Sequence, residues 1–220
     1  MKIDSQLQHD VIDELEWEPS VDSSQIGVAA KSGVITLTGA VPRYVEKMEA
    51  ERLAKSIAGV KGVANDIEVR LPGASERNDT DIATAALNAL KWHTSISDDK
   101  IKLTVRNGWV TLEGNVDWQF QRQAARDAVG YLVGVKGVTN DIALSAKPKA
   151  KDIKNKIEAA FKRKAEVDAS HVQVDAVDGA VKLKGNVASW MEFSEAERVA
   201  WAAPGVASVD NELTVGAFNV

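Results

Sequence analysis

Gly33–Gly39 reads GVITLTG, Gly108–Gly114 reads GWVTLEG and Gly179–Gly185 reads GAVKLKG. In each, apolar and polar residues alternate between two glycines, the period-two pattern of a half-buried strand. A second shared stretch starts a fixed distance downstream: GVKGVANDI at Gly59–Ile67, GVKGVTNDI at Gly134–Ile142 and GVASVDNEL at Gly205–Leu213. From Gly33 to Gly108 and from Gly59 to Gly134 the displacement is 75 residues; from Gly108 to Gly179 and from Gly134 to Gly205 it is 71. Two separated motifs that keep a common displacement identify an internal repeat, which must be recognised before any single element is assigned.

Superposing the three copies assigns the rest. Each opens with apolar residues four apart (Leu7, Val11, Leu15; Ile82, Ala86, Leu90; Ile153, Ile157, Phe161), one face of a helix. Asp4 and Asp79 stand where N-caps are expected. Period two follows at Ile26, Val28 and Ala30, at Ile101, Leu103 and Val105, and at Val172, Val174 and Ala176. The pairs Ser32-Gly33, Asn107-Gly108 and Asp178-Gly179 then predict tight hairpin turns. A second helix carries a small-residue stripe: Ala50, Leu53, Ala54 and Ile57, with counterparts Ala125, Ala128, Val129 and Leu132, and Ala196, Val199, Ala200 and Ala203. Third strands are expected over Val63–Val69, Val138–Leu144 and Val209–Val215. The fold class is therefore α+β: three tandem α-β-β-α-β modules, each a three-stranded mixed sheet packed against two helices. Expected boundaries are 1–72, 77–146 and 149–217, separated by short linkers at Pro72–Ser75 and Ala146–Lys149. Modules of about 70 residues bury only about 60% of their unfolded surface, which favours packing between them.

Composition narrows the function. With 45% hydrophobic and 27% charged residues the chain has ample core material. No apolar run is long enough to span a bilayer. The start, Met1-Lys2-Ile3-Asp4-Ser5, lacks a signal-peptide apolar region, so the expected compartment is cytoplasmic. Without cysteine there is no thiolate chemistry and no disulfide framework. A net charge of −5 disfavours nucleic acid as a partner.

The motifs resemble the BON domain, whose hallmark is a Gly-x-Val-x-Leu-x-Gly-x-Val strand, an Ala-rich helix and Gly-Val-x-x-Val-x-Asn. Here these are Gly33 to Val41 with Gly59 to Asn65, Gly108 to Val116 with Gly134 to Asn140, and Gly179 to Val187 with Gly205 to Asn211. The resemblance covers nearly the whole chain. It implies a non-enzymatic protein of osmotic or envelope stress that attaches to phospholipid surfaces, with no cofactor. Many relatives are exported or carry further domains, a departure that sets the cytoplasmic expectation apart.

Candidate sites are sparse. His9, His93 and His171 occupy different repeat positions and form no shared site, so catalysis and a metal centre are not expected. Asn65-Asp66, Asn140-Asp141 and Asn211-Glu212 offer oxygen ligands to a cation, but a turn cap before the strand is the favoured reading. The Gly59 and Gly134 segments lack the Lys-Ser/Thr of a phosphate loop. Trp17 and Trp92 share one repeat position at the end of the first helix and read as structural, whereas Trp109, Trp118, Trp190 and Trp201 have no Trp in sister copies. Trp109 and Trp201 are the candidates for packing between modules. Contact with a phospholipid surface or a protein partner is assigned to Trp118, Phe120, Trp190 and Phe193 together with Lys151, Lys154, Lys162 and Arg163. The last four lie in Lys147–Lys164, where eight basic residues face only Asp152 and Glu158. The alternative is a soluble small-ligand or ion sensor whose modules pack around the ligand. The sequence leaves the oligomeric state open.

Overall fold

The computed structural model describes residues 2–94, 100–145, 153–163 and 171–216. Module 1 consists of α1 (Asp4–Trp17), β1 (Ile26–Lys31), β2 (Val34–Val41), α2 (Tyr44–Ser56) and β3 (Gly62–Val69). Module 2 repeats it as α3 (Asp79–Trp92), β4 (Ile101–Arg106), β5 (Trp109–Val116), α4 (Gln119–Gly130) and β6 (Gly137–Leu144). Module 3 follows as α5 (Ile153–Arg163), β7 (Val172–Val177), β8 (Ala180–Val187), α6 (Trp190–Trp201) and β9 (Ser208–Val215). Each module holds one three-stranded sheet with its second strand central, antiparallel to the first and parallel to the third.

The expected stripes form the cores. Leu7, Val11 and Leu15, with Ile35, Leu37, Ala50 and Leu53, are buried in module 1, and the equivalent positions fill modules 2 and 3. At the hairpins Ser32, Asn107 and Asp178 have φ of 54°, 51° and 53°, each followed by a positive-φ glycine. Two consecutive left-handed residues define the type I′ turn, whose twist matches that of the strands.

Two local expectations are corrected. Asp4 does not cap α1: its carboxylate accepts hydrogen bonds from Ser32 N at 2.7 Å and Gly33 N at 3.0 Å, across the β1–β2 turn. Asp79 does the same for Asn107 N (2.8 Å) and Gly108 N (2.9 Å), while Asn78 caps α3 by accepting from Asp81 N. A carboxylate on the first helix thus clasps the hairpin of its own module. Those amide donors, led by Ser32 and then Gly33, hold the Asp4 carboxyl below its ordinary value, with slight opposition from desolvation and support from Lys61. A carboxyl whose folded pKa is depressed contributes stability above its unfolded value and loses it as pH falls through the folded one. Wild type is therefore expected to lose melting temperature more steeply below about pH 4 than Asp4→Asn, with the two curves converging in acid. Parallel curves across that range would show that the clasp carries no ionic contribution.

The Asn residues likewise lie inside the third strands rather than in turns before them. Asn65 Nδ2 donates to Lys47 O at 3.0 Å and to Glu51 Oε2 at 3.1 Å, and Asn140 Nδ2 donates to Arg122 O at 2.8 Å. Each bond ties the strand to the second helix. In module 3 the equivalent Asn211 Nδ2 is buried without a partner.

The modules pack through their second helices. Tyr44 of α2 joins the core cluster of module 2, its ring lying against Gly130 of α4, and Arg126 reaches Met48 Sδ at 3.3 Å. Toward the C-terminal end of α2, Trp190 of α6 packs against the module 1 core, beside Lys55 and Ser56. Trp190 and Tyr44 are the same repeat position, as are Lys55 and Gly130. One head-to-tail contact is therefore used twice, and module 1 touches both module 2 and module 3.

Candidate functional site

Trp17 and Trp92 contradict the structural reading given to them by repetition. They end α1 and α3 and are 85% and 83% exposed. Helical geometry explains this: a residue two after Leu15 or Leu90 is rotated by about 200° and faces away from the buried stripe. The equivalent place in module 3 is Arg163, also exposed. It ends α5, where Lys154, Lys156 and Lys162 are exposed opposite buried Ile153, Ile157 and Phe161. Lys154 reaches Glu158 at 3.8 Å, an exposed pair of small energetic weight. Lys151 falls outside the described residues.

Of the remaining surface candidates, Phe120 is 58% exposed at the start of α4, and Trp118 beside it is half-buried, its backbone N–H donating to Gln121 Oε1 at 3.0 Å. Trp190 and Phe193 are only partly exposed, and both are engaged in packing. They meet edge to face with ring centres 4.8 Å apart, Trp190 against module 1 and Phe193 against the core of module 3. The contact between modules thus employs Trp190, while Trp109 rests on its own sheet and Trp201, half-buried, donates from Nε1 to Glu197 at 3.4 Å.

A cleft of about 350 Å³ beside Trp190 is lined by Arg52, Lys55, Met191 and Arg198. Its cations are paired: Arg52 with Glu49, Lys55 with Glu51, and Arg198 with Glu195. Burial opposes ionisation of Glu51, but hydrogen bonds from Lys55 and Asn65 outweigh it and keep the carboxyl below its ordinary value. Among the described residues no group of three or more His, Asp or Glu side chains is placed to hold a metal ion, and no helix is long and apolar enough to cross a membrane.

Fold and surface together define a tandem-repeat protein of small α+β modules, in which the repeated residues build the core and the exposed groups include unshared aromatic and basic side chains. The chain belongs to the BON domain family, whose model matches residues 3–70, 78–146 and 149–217. It is 33% identical over 130 residues to osmotically-inducible protein Y of Escherichia coli, an alignment that takes in 56% of this chain and 63% of that protein. It is 28% identical over 138 residues to the outer membrane lipoprotein DolP of Haemophilus influenzae, covering 61% of this chain and 71% of the relative. The C-terminal domain of CdsD, a structural protein of the Chlamydia trachomatis type III secretion system, aligns over 99% of this chain and 100% of that one at 14% identity. Its TM-score of 0.27 is too low for any comparison of arrangement.

Proposed function

We propose that this chain is a non-catalytic binding protein of osmotic or envelope stress that attaches to anionic phospholipid surfaces. The observation that carries the reading is the pair of indoles at one repeat position, Trp17 and Trp92, each more than four-fifths exposed. An indole gains most at a boundary that is apolar on one side and wet on the other, as the headgroup region of a bilayer is. The exposed cations of α5 supply the second signal that stable attachment requires, each basic residue adding about 1 kcal/mol near an anionic leaflet. Names borne by two relatives, one osmotically inducible and one an outer membrane lipoprotein, support the physiological setting. Anionic headgroups line more than one compartment, and the cytoplasmic location expected from Met1–Ser5 is not supported by the relatives.

Co-sedimentation with vesicles of phosphatidylglycerol and phosphatidylcholine tests it. Binding is expected to the mixed anionic vesicles and not to pure phosphatidylcholine, to weaken with salt, and to fall at least tenfold in Lys154→Glu with Lys162→Glu. Equal binding to both vesicle types, or none to either, sinks the reading. A small-ligand sensor would instead use the cleft beside Trp190, whose paired cations make it the weaker alternative.

A further inference from the structure

The solvent face of the module 2 sheet differs from its two sisters in a way that the repeat does not require. Strand register sets three rows on this face: Arg106, Trp109 and Gly137; Thr104, Thr111 and Thr139; Lys102, Glu113 and Asp141. The Trp109 indole lies down across the sheet. Its Nε1 donates to Thr139 Oγ1 at 2.8 Å, and its six-membered ring covers Gly137 so closely that a Cβ there would collide with it. The ring is thereby fixed at both ends while half of its surface, 50%, stays open to solvent. A cleft of about 380 Å³ adjoins it, lined by Thr104, Arg106, Trp109, Thr111 and Glu113. Among the described residues, the side chains of Thr104, Arg106, Thr111 and Glu113 make no hydrogen bond or ion pair within the chain.

The sister modules serve as controls. At the Trp109 position module 1 has Val34 and module 3 has Ala180. On the same face of module 3, Lys182 is clamped by Asp210 at 2.9 Å and Glu212 at 2.6 Å. Module 1 presents Gly27, Ala29, Thr36 and Thr38 there. Only module 2 combines an anchored aromatic plane with an unpaired guanidinium, an unpaired carboxylate and free hydroxyls.

We propose that this face of module 2 is a binding platform for a neutral glycan, one pyranose ring lying on the exposed face of Trp109. A pyranose has an apolar C–H face, which matches a fixed indole, and rim hydroxyls, which need both donors and acceptors. Arg106 supplies a planar donor fork, Glu113 a two-oxygen acceptor, and the threonines either role. Lys102 and Arg106 against Glu113 and Asp141 leave the face without net charge, which removes any electrostatic preference for phosphate or nucleic acid. The indole is already held in place, so binding need not spend free energy ordering it.

The test is titration of the full chain with maltotetraose, cellotetraose and the tetramer of N-acetylglucosamine, reading the indole N–H cross-peaks by ¹⁵N–¹H NMR. The Trp109 peak is assigned from its loss in Trp109→Phe. At least one sugar is expected to move that peak saturably, and Arg106→Gln and Glu113→Gln are expected to weaken that binding at least tenfold while leaving the other indole peaks in place. Silence across the panel, or binding indifferent to both polar substitutions, overturns the proposal and leaves Trp109 as a cover for Gly137. Movement of the Trp109 peak by phosphatidylglycerol vesicles, with none by sugars, also overturns it. The readout is independent of Trp17 and Trp92, so failure here is distinguishable from failure of vesicle binding.

Discussion

Gly114→Ala is expected to unfold module 2 at room temperature. Gly114 has φ of +134°, a region closed to L side chains, and a Cβ added there would run into the backbone carbonyl oxygen of Lys100 at the entry to β4. Neither problem can be relieved by rotating a side chain, because both partners are backbone held in the β4–β5 ladder, where Ile101 pairs with Gly114. The backbone outlier alone costs about 1–3 kcal/mol, and relieving the clash means breaking part of the ladder. A module of this size has only about 3–10 kcal/mol in total. The expected readout is loss of the dispersed amide spectrum of module 2. Gly39 and Gly185 meet the carbonyls of Gln25 and His171 in the same way, so the effect should recur in each module. A Gly114→Ala protein with an unchanged melting temperature would show that the strand can shift to admit a Cβ, contrary to the register described.

The second large effect is expected at Trp190. Trp190→Ala removes the ring that seats module 3 on α2 and leaves Phe193 without its edge-to-face partner. A partly buried Trp of this kind is worth about 2–3 kcal/mol, less than the roughly 3–5 kcal/mol of a fully buried aromatic truncation. Because the ring joins two modules, the loss should also uncouple them, so that urea unfolding followed by different probes no longer coincides. Trp190→Phe is expected to behave oppositely. Trp190 Nε1 is buried with no partner, and replacing an unsatisfied donor by an apolar edge should be neutral or slightly stabilising. If both variants lose equal stability, the indole nitrogen has a role that the packing does not explain.

The elements and cores were legible because three copies of one pattern substitute for an alignment. Leu7, Ile82 and Ile153 agree on which face is inward, and the hairpin pairs agree on where the chain reverses. What misled was the step from repetition to burial. Trp17 and Trp92 recur, yet their spacing from Leu15 and Leu90 already placed them off the apolar stripe, so helical phase carried information that recurrence did not. Trp190 misled in the other direction. It has no sister Trp, but its equivalent is Tyr44, an aromatic serving the same contact, which an exact-match comparison passes over. The hairpin clasp by Asp4 and Asp79 joins residues 28 or 29 apart, and no local capping rule reaches that far.

Trp17 and Trp92 are the residues at which the proposed bilayer contact is made. Trp17→Ala with Trp92→Ala should therefore be compared with wild type in co-sedimentation on mixed phosphatidylglycerol and phosphatidylcholine vesicles, with Trp109→Ala as the control. Both indoles lie outside the cores, so melting temperature should hardly change. The predicted result is a loss of at least tenfold in vesicle affinity for the double variant and none for the control, since two interfacial indoles contribute on the order of several kcal/mol by area. Full retention of binding by Trp17→Ala with Trp92→Ala would contradict the account.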